Sequence, residues 1–585
     1  MADRRDPTFE EVAILLVAIA ALSAVSVLWL TARAAVLLSG RHQPAVTLAS
    51  SLEVLTHPGH PGGITAALYW VIAASFAAML VGVVLLFRRA FRHLLAAAKR
   101  PVNEEGLATR SEISRSAGAK QLLRRGTLLR PSLEKPTATD LGFQLGRARG
   151  VACYASVEDS TVVLGPPRSG KGMNLIIPMI LDAPGSVITT STRPDNLTAT
   201  LEARVAKGPI GIFDPEGLAH GIAGTLRWSP ARGCEDPLTA TTRANVLCAQ
   251  ASGGVSDSHF WQEATQRVVR DLLHVSALYH STPQELNRWA TDARAARTAV
   301  TLLRDHPRAI PGWADELDAI VTGEERMRSS VWAMVANVFS ALAVPEIAEQ
   351  FSPEKGNELH PEEFLRANGT LFLLGTANGA VTTARFVAAL IEDVVKVSRT
   401  DASSRRGARL DPPLSLILDE AANFPLPSLT GLMSEGGGTG ITTTVVLQSL
   451  AQARDRWGRD QADAIWETAT MKVILGGGAS AQDLNDLAKL IGERDVKDVS
   501  YSYESSGKGS SRTENIRQRA IIDVARLRSI PLGHALMLLR TAPPAMLSLR
   551  PWTQRKDGKE LQVSRARLEE DLRAAAELRI AMAGR

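Results

Sequence analysis

Hydrophobic residues run without a charge through residues 12–31, and through residues 64–87 broken only by Thr65, Tyr69, Trp70 and Ser75. Each run is about the 20 residues a helix needs to cross a hydrocarbon core roughly 30 Å thick, so two transmembrane helices are expected. A cleaved signal peptide competes for the first run, but the stretch exceeds the usual apolar region of about 7–15 residues. Arg4 and Arg5 precede the first run and Arg88, Arg89, Arg92, Lys99 and Arg100 crowd the exit of the second, against Arg33 and Arg41 between them. That asymmetry sets both termini on the cytoplasmic side, with residues 1–95 as a membrane anchor and the bulk of the chain beyond it cytoplasmic.

Beyond the anchor the pattern changes twice. Residues 96–150, basic and rich in Ser, Arg and Gly, read as a linker with little core of its own. Short apolar runs then alternate with helical periodicity: TVVLG, SVITT, IGIF, TLFLLG, LSLILDE, TTTVVLQ and MKVILGG. Such alternation predicts an α/β fold, a parallel sheet wrapped by helices, over 151–242 and 351–552. Between 243 and 350 only helical periodicity recurs, as in FWQEATQRVVRDLLHVSALY, so an inserted all-α domain is expected. The polar, small-residue stretch near 502 reads as a mobile loop, and residues 553–585 as a charged tail without a core anchor.

Composition narrows the picture little. Across 585 residues the net charge is +5, too mild to demonstrate nucleic-acid binding. Cys153, Cys234 and Cys248 have neither CxxC spacing nor a histidine cluster nearby, so buried thiols are expected, without zinc or a disulfide framework. His259, His274 and His280 share a helical segment but lack the carboxylates or cysteines of a metal site.

The chemistry is concentrated in two segments. Gly165, Pro166, Pro167, Arg168, Ser169, Gly170 and Lys171 lie between the strand-like TVVL and a helical run opened by Gly172 and Met173, the context of a Walker A loop. Its glycines let backbone N–H groups face phosphates, and Lys171 supplies a point charge, so ATP is the expected ligand. Gly172 stands where a Ser or Thr usually binds Mg²⁺, which shifts metal binding to a second motif. That motif is Leu414 to Glu420, an apolar strand ending in two acids. Asp419 would hold Mg²⁺ through water and Glu420 would activate the attacking water. Gln448, closing TTTVVLQ, is placed to sense the γ-phosphate or else to cap the next helix.

At these residues the chain resembles the TraG/TraD family of type IV secretion coupling proteins. GPPRSGKGMNLIIPMIL is similar to the family's P-loop, in which glycine commonly follows the lysine. LILDEAANFPLP resembles its Walker B segment, VVLQSLAQARDRWG the next strand and helix, and SHFWQEATQRVV the opening of its all-α domain. The resemblance implies a RecA-like P-loop NTPase domain with an inserted all-α domain, preceded by two transmembrane helices in the inner membrane. It further implies a homo-hexameric ATPase that moves DNA, single-stranded and relaxase-bound, to type IV secretion channel components. An FtsK-like pump of double-stranded DNA and a nucleotide-binding docking receptor with little hydrolysis are the alternatives.

Two departures stand out. Ser191, Thr192, Arg193, Pro194 and Asp195 replace the family's Asp-x-Lys-like segment, and Gly437 occupies a position where many members carry an arginine proposed to reach the neighbouring subunit's nucleotide. Arg454 or Arg456 would then substitute, or hydrolysis would be slow. Phe260 and Trp261 read as core residues rather than as bases' stacking partners, and Arg124-Arg125 and Arg405-Arg406 as solvated surface.

Overall fold

A computed structural model describes residues 106–249, 258–354, 356–375, 383–478, 480–503 and 510–583, with the helix Ala66–Ala98 and scattered positions between 23 and 58. The chain forms two units, Met1–Asn103 and Glu104–Arg585.

In the first unit, Tyr69–Leu86 has a mean hydropathy of 2.3 and is, among the described residues, the one helix long and apolar enough to cross a membrane. Val71, Met79 and Leu86 on it stand exposed. Tyr69 is instead buried beside Val54 and Ala32. Of the first expected span only residues 23 and 25–31 are described, and these are helical; the remainder lies outside the described residues.

The second unit is built on an eleven-stranded sheet. Its strands are β1 (Gly142–Ala148), β2 (Val151–Ser156), β3 (Thr161–Leu164), β4 (Val187–Ser191), β5 (Ile210–Phe213), β6 (Thr370–Leu374), β7 (Leu414–Leu418), β8 (Ile441–Leu447), β9 (Met471–Leu475), β12 (His534–Leu539) and β13 (Ala545–Ser548), with a separate hairpin of β10 (Glu493–Tyr503) and β11 (Ser510–Ala520). The order is β2-β1-β13-β12-β9-β3-β8-β7-β4-β6-β5. From β9 to β5 every pairing is parallel. These are the seven runs rich in apolar and β-branched residues, as parallel strands covered on both faces require, with the threonines of β4 and β8 buried among them. In the antiparallel extension from β12 to β2, β12 is also a continuous apolar run, ALMLL, whereas β1 and β2 carry polar residues among the apolar ones.

Three expectations are corrected. The linker expected over 96–150 is folded within its described part: Leu122, Leu129 and Leu141 pack with Val157, and β1 sends Phe143 and Leu145 into the sheet core. Its many Arg and Ser residues mask an apolar minority that suffices for short elements. The tail expected over 553–585 is anchored, since the helix Gly558–Ala583 buries Leu561 beside Ala199 and Leu568 beside Leu197 and Leu201, all on the helix Asp195–Val205. The loop expected near 502 is the β10–β11 hairpin, paired from Glu493↔Ala520 to Tyr503↔Ser510; residues 504–509 lie outside the described residues.

The helical insertion between β5 and β6 is longer than 243–350, running from Pro237–Cys248 to Pro361–Arg366. It is tied to the sheet domain by Asp393 of the helix Ala384–Ser404, which accepts from Arg243 at 2.6 Å, Arg232 at 3.1 Å and Trp228 Nε1 at 3.1 Å. Trp261 packs against the main core, while the side chains of His259 and Phe260 lie outside the described residues.

Candidate nucleotide site

Because β3, β8, β7 and β4 are adjacent and parallel, their C-terminal ends share one edge of the sheet. Residues far apart in sequence meet there. The glycine loop leaves β3 where the Gly165 N–H donates to the Leu447 carbonyl at 3.0 Å. Arg168 (φ 62) and Gly170 (φ 84) reverse the chain in left-handed conformations. Glycine suits position 170 because φ 84 strains any residue that carries a Cβ. Lys171 Nζ donates to the Gly165 carbonyl at 3.3 Å, across the loop, and Ser169 Oγ is buried without a partner. Pro166 is half-buried, Pro167, Arg168 and Met173 are exposed, and Gly172 has open space around its Cα.

The helix after the loop starts with a π-helical turn, Gly172–Ile176, in which the Ile177 N–H reaches back to the Gly172 carbonyl. Pro178 accounts for this widening: it has no N–H for the carbonyl four residues earlier, and its ring crowds that carbonyl in a regular α-helix.

One strand away, across β8, β7 delivers the two acids. Thr190 Oγ1 at the end of β4 donates to the Asp419 main-chain carbonyl at 2.8 Å. Asp419 Oδ1 accepts the Glu420 N–H at 3.0 Å and Oδ2 lies 3.5 Å from Asn196 Nδ2. Burial pushes the Asp419 carboxyl up to about 6; Lys171 opposes the rise and Glu420 adds to it. Glu420 itself sits at φ 50, ψ 45, a left-handed conformation that non-glycine residues seldom adopt. Its carboxylate accepts from Thr192 Oγ1 at 2.7 Å, Asn423 Nδ2 at 3.1 Å and Gln448 Nε2 at 3.4 Å.

Lys171, Asp419, Glu420 and Gln448 are thus brought to one edge. Gln448 does not cap the following helix: Ser449 does, its Oγ accepting the Gln452 N–H at 3.1 Å. Thr190, Thr192, Asn196 and Asn423 were missed. The first three flank a strand whose end was legible, but nothing local says which strand lies beside it.

Gly437 has no room for a side chain, because a Cβ would lie 2.1 Å from the Glu158 carbonyl oxygen. Arg409, buried beneath it, donates to the Gly437 carbonyl at 3.1 Å and to Glu158 at 2.6 Å. Of the suggested substitutes, Arg454 is held by Asp463 and Asp483, each at 3.2 Å, while Arg456 is exposed.

The donor set fits a magnesium nucleotide. A glycine turn with an orphaned buried hydroxyl and a lysine lies opposite a carboxyl that burial disfavours as an anion, a cost that a divalent cation offsets.

Residues 413–532 match a sequence family described as the TraM recognition site of TraD and TraG. The fold is similar to that of the bacterial conjugative coupling protein TrwBdeltaN70 in its unbound form, with a TM-score of 0.54 and 18% identity over 74% of this chain and 92% of that one. TrwB in complex with the non-hydrolysable ATP analogue ADPNP gives 0.52 at 18% identity, covering 74% and 93%. TrwB in complex with ADP and Mg²⁺ gives 0.52 at 17%, covering 74% and 94%. No match is found among curated proteins.

Proposed function

We infer that the chain is a TraG/TraD-family coupling protein: a membrane-anchored P-loop ATPase that recruits DNA or nucleoprotein and drives its transfer through a type IV secretion channel. The observation that carries the reading is the convergence of Lys171, Asp419, Glu420 and Gln448 on one sheet edge, β3 and β7 being separated by the strand that bears Gln448. The family match supports it, since the matched segment opens at the Walker B strand and ends at the Leu532 side chain that lies beside Gly170. The apolar helix Tyr69–Leu86, with a second span over residues 12–31, anchors the protein in the inner membrane with its bulk in the cytoplasm. Hexameric assembly, relaxase-bound single-stranded DNA as cargo and contacts with channel components complete the reading.

A bound magnesium ion would polarise the γ-phosphoryl group of ATP. The chain does the rest. Lys171 and the loop N–H groups would neutralise phosphate charge, and Asp419, steadied by Asn196 and Thr190, would hold the metal ion. Glu420 removes the proton of the attacking water, and the Gln448 amide, 3.4 Å from it, orients that pair.

Turnover of the purified full-length protein, with and without single-stranded DNA, tests the reading. Wild type hydrolyses ATP and is stimulated by DNA, whereas Lys171→Ala and Glu420→Gln are inactive. A wild-type rate equal to that of both variants would refute hydrolysis and leave nucleotide binding alone.

A further inference from the structure

Resting on the reading of Glu420 as the base, we propose that Thr192 is a positioning residue for that base and determines which of its two oxygens takes the proton. Oε2 receives two donors, Thr192 Oγ1 at 2.7 Å and Asn423 Nδ2 at 3.1 Å. Oε1 receives one, Gln448 Nε2, at 3.4 Å. Two hydrogen bonds, the Thr192 one short, withdraw electron density from Oε2 and fix the plane of the carboxylate. Oε1, held at the longer distance, is the oxygen left to accept a proton from water.

The backbone explains why such a clamp is needed. Glu420, the second residue after β7, stands in a left-handed conformation and is half-exposed, so its carboxylate is placed by the side chains that donate to it. Thr192 stands one residue beyond the end of β4, the strand paired with β7 through Thr190↔Leu418, so its hydroxyl meets the carboxylate from the neighbouring strand. It belongs to the segment that departs from the family's Asp-x-Lys-like pattern, and the contact gives that departure a task. The segment is itself fixed from outside: it leads into the helix Asp195–Val205, on which Leu561 and Leu568 of the C-terminal helix pack.

Thr192→Val keeps the shape and removes the donor, and Thr192→Ser keeps the donor. In the full-length protein we expect Thr192→Val to lower kcat roughly 10- to 100-fold with KM and fluorescent-ADP affinity unchanged. Thr192→Ser should return kcat to within about threefold of wild type, a rescue that a purely structural role of the methyl group would not give. An unchanged kcat in Thr192→Val, a matching change in KM or ADP affinity, or a failed rescue by serine overturns the proposal while leaving Glu420 as the base. If Glu420→Gln retains the wild-type rate, the assignment of the base and this proposal fall together.

Discussion

Two aspartates in this protein, Asp393 buried and Asp419 half-buried, are treated in opposite ways. Asp393, between the helical insertion and the sheet domain, is surrounded by donors: Arg243 at 2.6 Å, Arg232 at 3.1 Å and the Trp228 indole at 3.1 Å, with the Arg243 guanidinium 4.8 Å from the Trp228 ring centre. Asp419, at the nucleotide edge, has one main-chain N–H at 3.0 Å and one amide at 3.5 Å, and burial drives its carboxyl towards the neutral form. A buried charge that the fold satisfies completely is a fastener. One left partly satisfied, next to a left-handed Glu420, has room for a further partner.

The largest expected effect breaks the comparison on the side of function. Glu420→Gln should lower ATP turnover by roughly 10²- to 10⁴-fold while leaving the melting temperature within a degree or two of wild type. Steady-state kinetics beside thermal melting would show it, and a large loss of stability would make the nucleotide edge a fastener too.

Arg243→Ala should do the reverse. It leaves Asp393 buried with one arginine fewer and should cost about 3–5 kcal/mol, read in urea unfolding followed by tryptophan fluorescence, with residual activity tracking the folded fraction.

A smaller effect is expected at Gly437. Gly437→Ala pushes a methyl into the Glu158 main chain and should destabilise by about 1–3 kcal/mol, and Gly437→Arg should fail to raise turnover, because the position faces the protein's own β2–β3 connection. A faster Gly437→Arg enzyme would show that the loop opens towards a neighbouring subunit.

A pH dependence extends the contrast into the insertion. Burial raises the Asp271 carboxyl to about 7, Glu316 adding to the rise while Arg270 and Arg267 oppose it. A carboxyl whose folded pKa exceeds its unfolded value of about 3.9 binds its proton more tightly when folded. Its contribution to stability is therefore present below about pH 4 and lost as pH rises through about 7. Melting temperatures between pH 5 and 8 should fall more steeply for wild type than for Asp271→Asn; parallel curves would mean that Arg270, bonded to Oδ1 at 2.8 Å, holds the group ionised throughout.

What was legible follows from how each feature is encoded. The glycine loop is contiguous, so its chemistry and its left-handed turn at Gly170 are written in neighbouring residues. The seven parallel strands announce themselves because both faces are buried. The stretch before β3 misleads because its short elements carry more solvent-facing Arg and Ser than core residues, although Leu129, Leu141 and Phe143 are almost fully buried. The β10–β11 hairpin misleads for a related reason: it lies outside the main sheet, and the alternation of Val499, Tyr501 and Tyr503 is short and set among Ser, Asp, Glu, Lys and Arg residues that read as a loop.

By itself the sequence determined the long apolar run near the N-terminus, the glycine loop with its lysine, and the pair of acids that follows a buried strand. These are local properties, set by the hydropathy and conformational freedom of adjacent residues. Only the tertiary structure decided that β8 lies between the loop and the acids, that Thr192 reaches Glu420, that Arg454 is already engaged, and that Gly437 is glycine because a carbonyl occupies the space beside it. Contacts of that kind depend on the order of strands in the sheet, and strand order is a property of the packed whole that no window of residues carries.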